Sequence, residues 1–159
     1  MLVKDIMTKK VITLGPENTL KDVVLKFSEH NISGAPVVDD SGKVLGIISE
    51  ADIITTLERH GKEVKMVYLS PALSMVGLSF KETPSEKKTE DIVKDVGDIK
   101  VSEMMKRNVK TVGPEDKVKA VIDIVASGKI NRVPVVMDGK LVGIVTRGDV
   151  IKGISKMSI

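Results

Sequence analysis

The chain has no cysteine and no tryptophan, and its aromatic residues come to one tyrosine and two phenylalanines. Without thiols there can be no disulfide framework, no thiolate metal site and no cysteine nucleophile. With so few rings the core must be Val, Ile, Leu and Met, and the stacking residues used in sequence-tolerant single-strand binding are missing. The only histidines are His30 and His60, each without a second ligand at metal spacing, so a metal site is not expected and both read as surface helix ends. No Gly-Lys-(Ser/Thr) phosphate loop occurs. Nor does an apolar run of about eighteen residues, or a charged-then-apolar leader after Met1. These absences point to a protein that is not an enzyme, is cytoplasmic and does not engage a membrane.

What is present is a chain of 159 residues with 42% apolar side chains, enough for a real core. A formal charge of +3 with 22 acidic residues dispersed through it permits an anionic ligand without demanding nucleic acid.

The strongest feature is an internal repeat. Asn131 to Asp149 reads NRVPVVMDGKLVGIVTRGD, and Ser33 to Asp52 reads SGAPVVDDSGKVLGIISEAD. Val133 to Met137 and Leu141 to Val145 are β-branched runs joined by Asp138-Gly139, the strongest short hairpin signal. Thr146 then stands where a helix N-cap belongs, with Asp149 three residues on, and Ser49 and Asp52 do the same in the first copy. The offset of 98 (101 − 3) between copies holds through Val11/Val109, Thr13/Thr111, Gly15/Gly113 and Glu17/Glu115, and becomes 97 after Ser41, which has no counterpart. Leu20, Val23, Val24 and Phe27, matched by Val118, Val121, Ile122 and Val125, predict an amphipathic helix in each copy, with Asn18 or Thr19 and Asp116 as N-caps.

The fold expected is therefore α/β (α+β): two β-α-β-β-α repeats packed sheet to sheet with pseudo-two-fold symmetry. Residues 1–58 form the first repeat, 59–98 a connector and 99–159 the second. One copy alone would leave too much apolar surface exposed. In the connector, Ser70-Pro71 can start a short helix, and Asp91 to Val96 suggests a helical turn that Gly97 can end. Tyr68, Leu69, Met75, Val76, Leu78 and Phe80 could either cap the core or form a contact patch.

Taken together, Val3-Lys4-Asp5-Ile6-Met7, Pro16-Glu17-Asn18-Thr19-Leu20, Ala35-Pro36-Val37-Val38-Asp39, Gly46-Ile47-Ile48-Ser49-Glu50-Ala51-Asp52 and their second-copy equivalents resemble a tandem pair of CBS (cystathionine β-synthase) domains, a Bateman module of the stand-alone type. The resemblance implies a regulatory sensor with two clefts for adenosine-containing ligands: AMP, ADP, ATP or S-adenosylmethionine. It implies no obligatory cofactor, a homodimer and a separate, unknown client protein.

Residue by residue, the resemblance implies that Asp149 accepts from two ribose hydroxyls and that Thr146 donates to a phosphate or ribose oxygen at a helix N-terminus. Arg132, beside Asn131 and before Pro134, is expected to bind phosphate at the same mouth. Arg147 either faces the ligand or decorates the first helical turn. Thr13 and Thr111 lie on the segments whose backbone reads the base. Ser49 and Asp52 repeat the ribose site in the first copy, but Ser33-Gly34 and Glu50 replace Asn131-Arg132 and Arg147. A phosphorylated adenosine is thus expected at Asp149, with the Asp52 cleft empty, weaker or suited to a less anionic ligand. A capping box accounts for Thr146 and Asp149 equally well. The alternative function is a nucleic-acid-binding or scaffold protein. It would use the basic cluster Lys100, Lys106, Arg107, Lys110, Lys117, Lys119, Lys129, Arg132 and Lys140, or the apolar connector.

Overall fold

The computed structural model describes residues 1–60 and 89–157; the connector's apolar patch and the Ser70-Pro71 helix start lie outside them. In chain order the elements are helices α1 (Val3–Ile6) and α2 (Leu20–His30), strands β1 (Gly34–Val38) and β2 (Val44–Ser49), and helix α3 over 50–60. After the connector come α4 (Thr89–Val96), α5 (Val101–Met104), α6 (Val118–Val125), β3 (Arg132–Met137), β4 (Lys140–Thr146) and α7 (Arg147–Ser155).

Each repeat contributes one antiparallel hairpin, β1 with β2 and β3 with β4. Asp138 and Gly139 both have positive φ, 52° and 77°, the backbone that a two-residue primed turn requires. In the longer first-copy turn Asp39 Oδ1 accepts from the Ser41 and Lys43 N–H groups at 2.9 and 3.0 Å, and Gly42 supplies a φ of 89°. The first strand of the expected repeat shrinks to a single parallel bridge on each hairpin, Leu14 with Val37 and Val112 with Val135.

The cores cross the repeat boundaries. Val3, fully buried, packs with Val112, Val118, Val121, Val133, Val135, Val145 and Val150, all from the second repeat. Its counterpart Val101 joins Leu14, Leu20, Val23, Val37 and Ile48 of the first, together with Val96, Met104 and Met105. Backbone bonds fix the exchange in matched pairs: Thr8 N–H to Ile144 O at 2.9 Å and Lys106 N–H to Ile47 O at 2.9 Å. Val3 N–H reaches Asp116 O at 2.9 Å, and Val101 N–H reaches Asn18 O at 2.7 Å. The hairpin tips also meet, with Leu141 N–H donating to Gly42 O at 2.9 Å. These correspondences are the pseudo-two-fold relation in atomic terms.

Two expectations about the helices need correction. Val24 (42% exposed) and Ile122 do not join the core, because each lies a further 100° round its helix from a buried neighbour, Val23 or Val121, and faces outward. Asp116 is not a cap: its Oδ2 accepts from Gly113 N–H at 2.7 Å, closing the preceding turn, and Lys117 occupies the N-cap position of α6. Its counterpart Asn18 closes the Gly15 turn in the same way at 2.7 Å, and Thr19 caps α2.

Candidate functional site

At the junction of β2 and α3 the carboxylate half of the capping box expected of Ser49 and Asp52 is formed: Ser49 N–H and Oγ–H donate to Asp52 Oδ2 at 2.8 and 3.0 Å. The second copy repeats it, with Thr146 N–H and Oγ1–H to Asp149 Oδ2 at 2.8 and 2.7 Å. Each box spends one carboxylate oxygen on its own helix start. Asp52 Oδ1 instead lies 3.7 Å from Lys106 Nζ, and the Asp52 side chain is only 11% exposed.

Asp52 opens into a cleft of about 120 Å³ lined by Ile47, Ser49, Lys106, Asn108, Val109, Lys110, Lys129, Ile130, Asn131 and Arg132. That is below the roughly 300 Å³ at which enclosed ligand pockets begin. One wall is the first repeat's strand end and helix start, held together by the Ser49–Asp52 box. The other is the second repeat's extended segment after α5, drawn in by the Ile47–Lys106 bridge, with the residues leading into β3.

The expectation that Arg132 and Asn131 stand at the mouth of the Asp149 site therefore does not hold. The repeats exchange their leading segments, so each carboxylate is walled by residues of the opposite repeat, and Asn131 and Arg132 line the cleft of Asp52. Asp149 borders a different groove, of about 610 Å³, between α1 and α7, with Met1, Asp5, Ile6, Met7, Lys152, Gly153 and Lys156. The contrast expected between the clefts is reversed along with it. Lys106, Lys110, Lys129 and Arg132 bring four cations to Asp52. The corresponding positions around Asp149, by the repeat offset, are Thr8, Ile12, Asn31 and Gly34.

Of the other sequence-derived residues, Arg147 is exposed and directs Nη2 at Val125 O (3.5 Å), at the end of α6. Thr13 gives its carbonyl to Lys26 Nζ at 2.8 Å, and Thr111 is exposed one residue beyond the cleft-lining stretch 108–110. Pro134 is buried in β3, its carbonyl accepting from Val112 N–H at 3.2 Å. Ile47, Lys106, Asn108, Val109, Lys110, Lys129 and Ile130 were not singled out as cleft residues from sequence. Three of them, Lys106, Lys110 and Lys129, are visible there only as members of a basic cluster.

Burial lowers the Arg132 guanidinium below its ordinary pKa, while Glu50 and Asp52 pull the other way. An arginine so placed remains charged at neutral pH. Among the described residues no group of three or more His, Cys, Asp or Glu could hold a metal ion, and no helix is long and apolar enough to cross a membrane.

The CBS domain family model matches residues 3–59 and 96–156. An uncharacterized protein of Methanocaldococcus jannaschii is 38% identical over 155 residues, covering 97% of this chain and 91% of its own length. The crystal structure of the CBS domain pair of protein MJ0100 in complex with 5′-methylthioadenosine and S-adenosyl-L-methionine is 28% identical, with a TM-score of 0.64 over 99% of this chain and 98% of that one. The structure of CBSX2 in complex with AMP shares the fold at 22% identity, TM-score 0.70, over 98% of this chain and 97% of its own. With both repeats matched and their clefts formed between exchanged segments, the chain belongs to the CBS domain family, as a tandem pair.

Proposed function

We propose that the chain is a non-catalytic regulatory sensor that takes a phosphorylated adenosine ligand in the cleft of Ser49 and Asp52. The observation that carries this reading is the convergence of Lys106, Lys110, Lys129 and Arg132 on one half-buried carboxylate held at a helix start. Asp52 Oδ1 accepts from the ribose hydroxyls, displacing the loose contact with Lys106. The backbone of Asn108, Val109 and Lys110 reads the adenine edge, and the cations take the phosphates. Four positive charges favour AMP, ADP or ATP over the sulfonium of S-adenosylmethionine, and more so with each added phosphate. The solved CBS pairs that hold AMP, or methylthioadenosine with S-adenosylmethionine, support the adenosine part of the reading. The exposed apolar side chains Val24 and Leu25 on α2, Ile54 on α3, Ile122 on α6 and Ile151 on α7 support a homodimer through the outer helices.

Calorimetry with AMP, ADP, ATP, S-adenosylmethionine and methylthioadenosine tests the reading. Removing a carboxylate that accepts charge-assisted bonds costs about 1.5–3 kcal/mol, so Asp52→Ala should weaken ADP roughly 10- to 100-fold. Asp149→Ala should leave it within about twofold of the parent, within the scatter expected of a distant site. Loss in Asp149→Ala alone refutes the assignment. RNA binding that falls steeply with salt, with no adenosine ligand bound, would return Lys106, Lys110 and Lys129 to a nucleic-acid role.

A further inference from the structure

Position 34 of the first repeat and position 132 of the second correspond at the offset of 98, one a glycine and the other an arginine. The structure sets them face to face. Arg132 Nη1 donates to Ser33 O at 3.0 Å and Nη2 to Ser33 Oγ at 2.6 Å. A Cβ added to Gly34 would fall 1.4 Å from Arg132 Nη1 and 2.3 Å from Cζ, so the guanidinium fills the space that a side chain at 34 would need. The seat is itself fixed, because Ser33 O also accepts from Glu50 N–H at 2.9 Å, at the start of α3.

A guanidinium has five N–H groups in a rigid plane, and the Ser33 bonds use two of them, one on each terminal nitrogen. The Nε–H and the second N–H of each terminal nitrogen stay on the side edges, and Nε–H with its neighbouring terminal N–H is the pair suited to bidentate oxyanion binding. A flexible arginine loses rotamer freedom when it closes on a phosphate; one already seated loses less. Arg132 lines the Asp52 cleft, so the group held this way faces the site where the phosphates belong.

We propose that Ser33 and Gly34 are positioning residues for phosphate binding in the Asp52 cleft, forming a seat in the first repeat for the arginine of the second. The assignment rests on the reading of that cleft as a phosphorylated-adenosine site. On it, Ser33-Gly34 in place of Asn131-Arg132 is no loss of a phosphate-binding group from one repeat. It is the complement that receives the arginine of the other.

The test compares adenosine with ADP on the parent protein and on Ser33→Ala, Ser33→Thr and Gly34→Ala. Loss of one or both hydrogen bonds to a charged group should weaken ADP about 5- to 20-fold in Ser33→Ala and Gly34→Ala. Adenosine, which has no phosphate, should bind all four proteins alike, and Ser33→Thr, which keeps the hydroxyl, should restore ADP affinity. Ser33→Ala leaves the backbone untouched and so carries the test if Gly34→Ala unfolds. Equal weakening of adenosine and ADP would show a merely structural role and overturn the assignment. So would ADP binding that is lost in Asp52→Ala yet indifferent to Ser33, which would leave the cleft reading intact. If the parent binds neither adenosine nor ADP, the cleft reading falls and the seat for its phosphates falls with it.

Discussion

Gly46 and Gly143 occupy equivalent places in β2 and β4, yet substitution by alanine should separate them sharply. A Cβ at Gly46 would lie 2.5 Å from Met105 Sδ and 2.8 Å from the carbonyl oxygen of Lys106. At Gly143 it would lie 2.6 Å from Met7 Sδ and 3.2 Å from Thr8 O. A methionine sulfur can swing aside; a bridged carbonyl cannot, and since Lys106 O accepts from Ile47 N–H at 2.9 Å as Thr8 O does from Ile144 N–H at 3.0 Å, the closer approach at Gly46 decides. Overpacking costs about 1–3 kcal/mol, and straining two backbone hydrogen bonds adds about 1 kcal/mol each at most. The stiffer unfolded chain returns about 0.4–1 kcal/mol. Gly46→Ala should thus lose about 3 kcal/mol, a large share of the ~5–15 kcal/mol that holds a typical protein folded. Gly143→Ala, where the Met7 side chain can swing aside and the Thr8 carbonyl need move only a few tenths of an ångström, should lose about 1 kcal/mol at the low end of the overpacking range. Urea unfolding reads the difference: at a slope of about 2 kcal/mol/M, Gly46→Ala lowers the midpoint by roughly 1.5 M and Gly143→Ala by roughly 0.5 M. Equal midpoints, or a larger loss for Gly143→Ala, would refute the argument that the closer approach to a held backbone carbonyl, and not the clash with a methionine sulfur, sets the cost.

The exchanged leaders make a second prediction. Val3→Ala and Val101→Ala should each cost about 2 kcal/mol, the transfer of two methyl groups plus part of a cavity. By amide exchange the loosening from Val3→Ala should appear at Val133, Val135 and Val145, and that from Val101→Ala at Val37 and Ile48; loosening within the mutated residue's own repeat would contradict the crossed cores. A third concerns acid. The Thr19 backbone N–H, helped by its hydroxyl and by Asn18, holds the Asp22 carboxyl below its ordinary 3.8 against a smaller opposing effect of burial. Because the folded value is the lower one, this stabilisation is complete above pH 3.8 and fades as pH falls through the folded value. Asp22→Asn should therefore be less stable than the parent near neutrality, by about 1 kcal/mol for a helix-start contact of this kind, and the two stability curves should converge below pH 3.8. Curves that stay parallel from pH 7 to pH 2 would deny the carboxylate that role.

The features legible in the sequence were those that a few neighbouring residues decide. Asp138-Gly139 dictates its turn because both positions need positive φ. Ser49 with Asp52 and Thr146 with Asp149 dictate helix starts because donor and acceptor lie three residues apart. The choice between Asn18 and Thr19 was open because both can accept from a backbone N–H, and the pairing with Asp116 misled. Asn18 and Asp116 do the same work on the Gly-Pro turns, whereas Thr19 matches Lys117, which has no capping oxygen. The exchange of leaders was not legible. Val3-Lys4-Asp5-Ile6-Met7 and Val101-Ser102-Glu103-Met104-Met105 carry the same apolar pattern, so either fits the core of either repeat, and a repeat correspondence is blind to which one is adjacent in space. That one ambiguity moved Arg132 to the wrong carboxylate and left Lys106, Lys110 and Lys129 as an unplaced basic cluster.

The crossing also explains how two nearly superimposable repeats produce unlike clefts. Strand pairings and the Ser49/Thr146 helix starts are common to both copies, whereas at 8/106, 12/110, 31/129 and 34/132 only the second copy carries charge. If each cleft were walled within its own repeat, those four cations would surround Asp149; crossed, they surround Asp52. A nucleotide seated there would touch β2 and α3 on one side and residues 106–110 and 129–132 on the other, so its binding free energy would act between the repeats. At a free concentration a hundred times its Kd it would add about 2.7 kcal/mol to stability. To act as a signal it must bind a second state less well. The Ile47–Lys106 bridge, two 2.9 Å hydrogen bonds, joins the repeats and brings Lys106 to Asp52. On the proposed reading, opening that bridge would remove one cation from the cleft and loosen its 106–110 wall, so ligand affinity and the seating of the leader would rise and fall together.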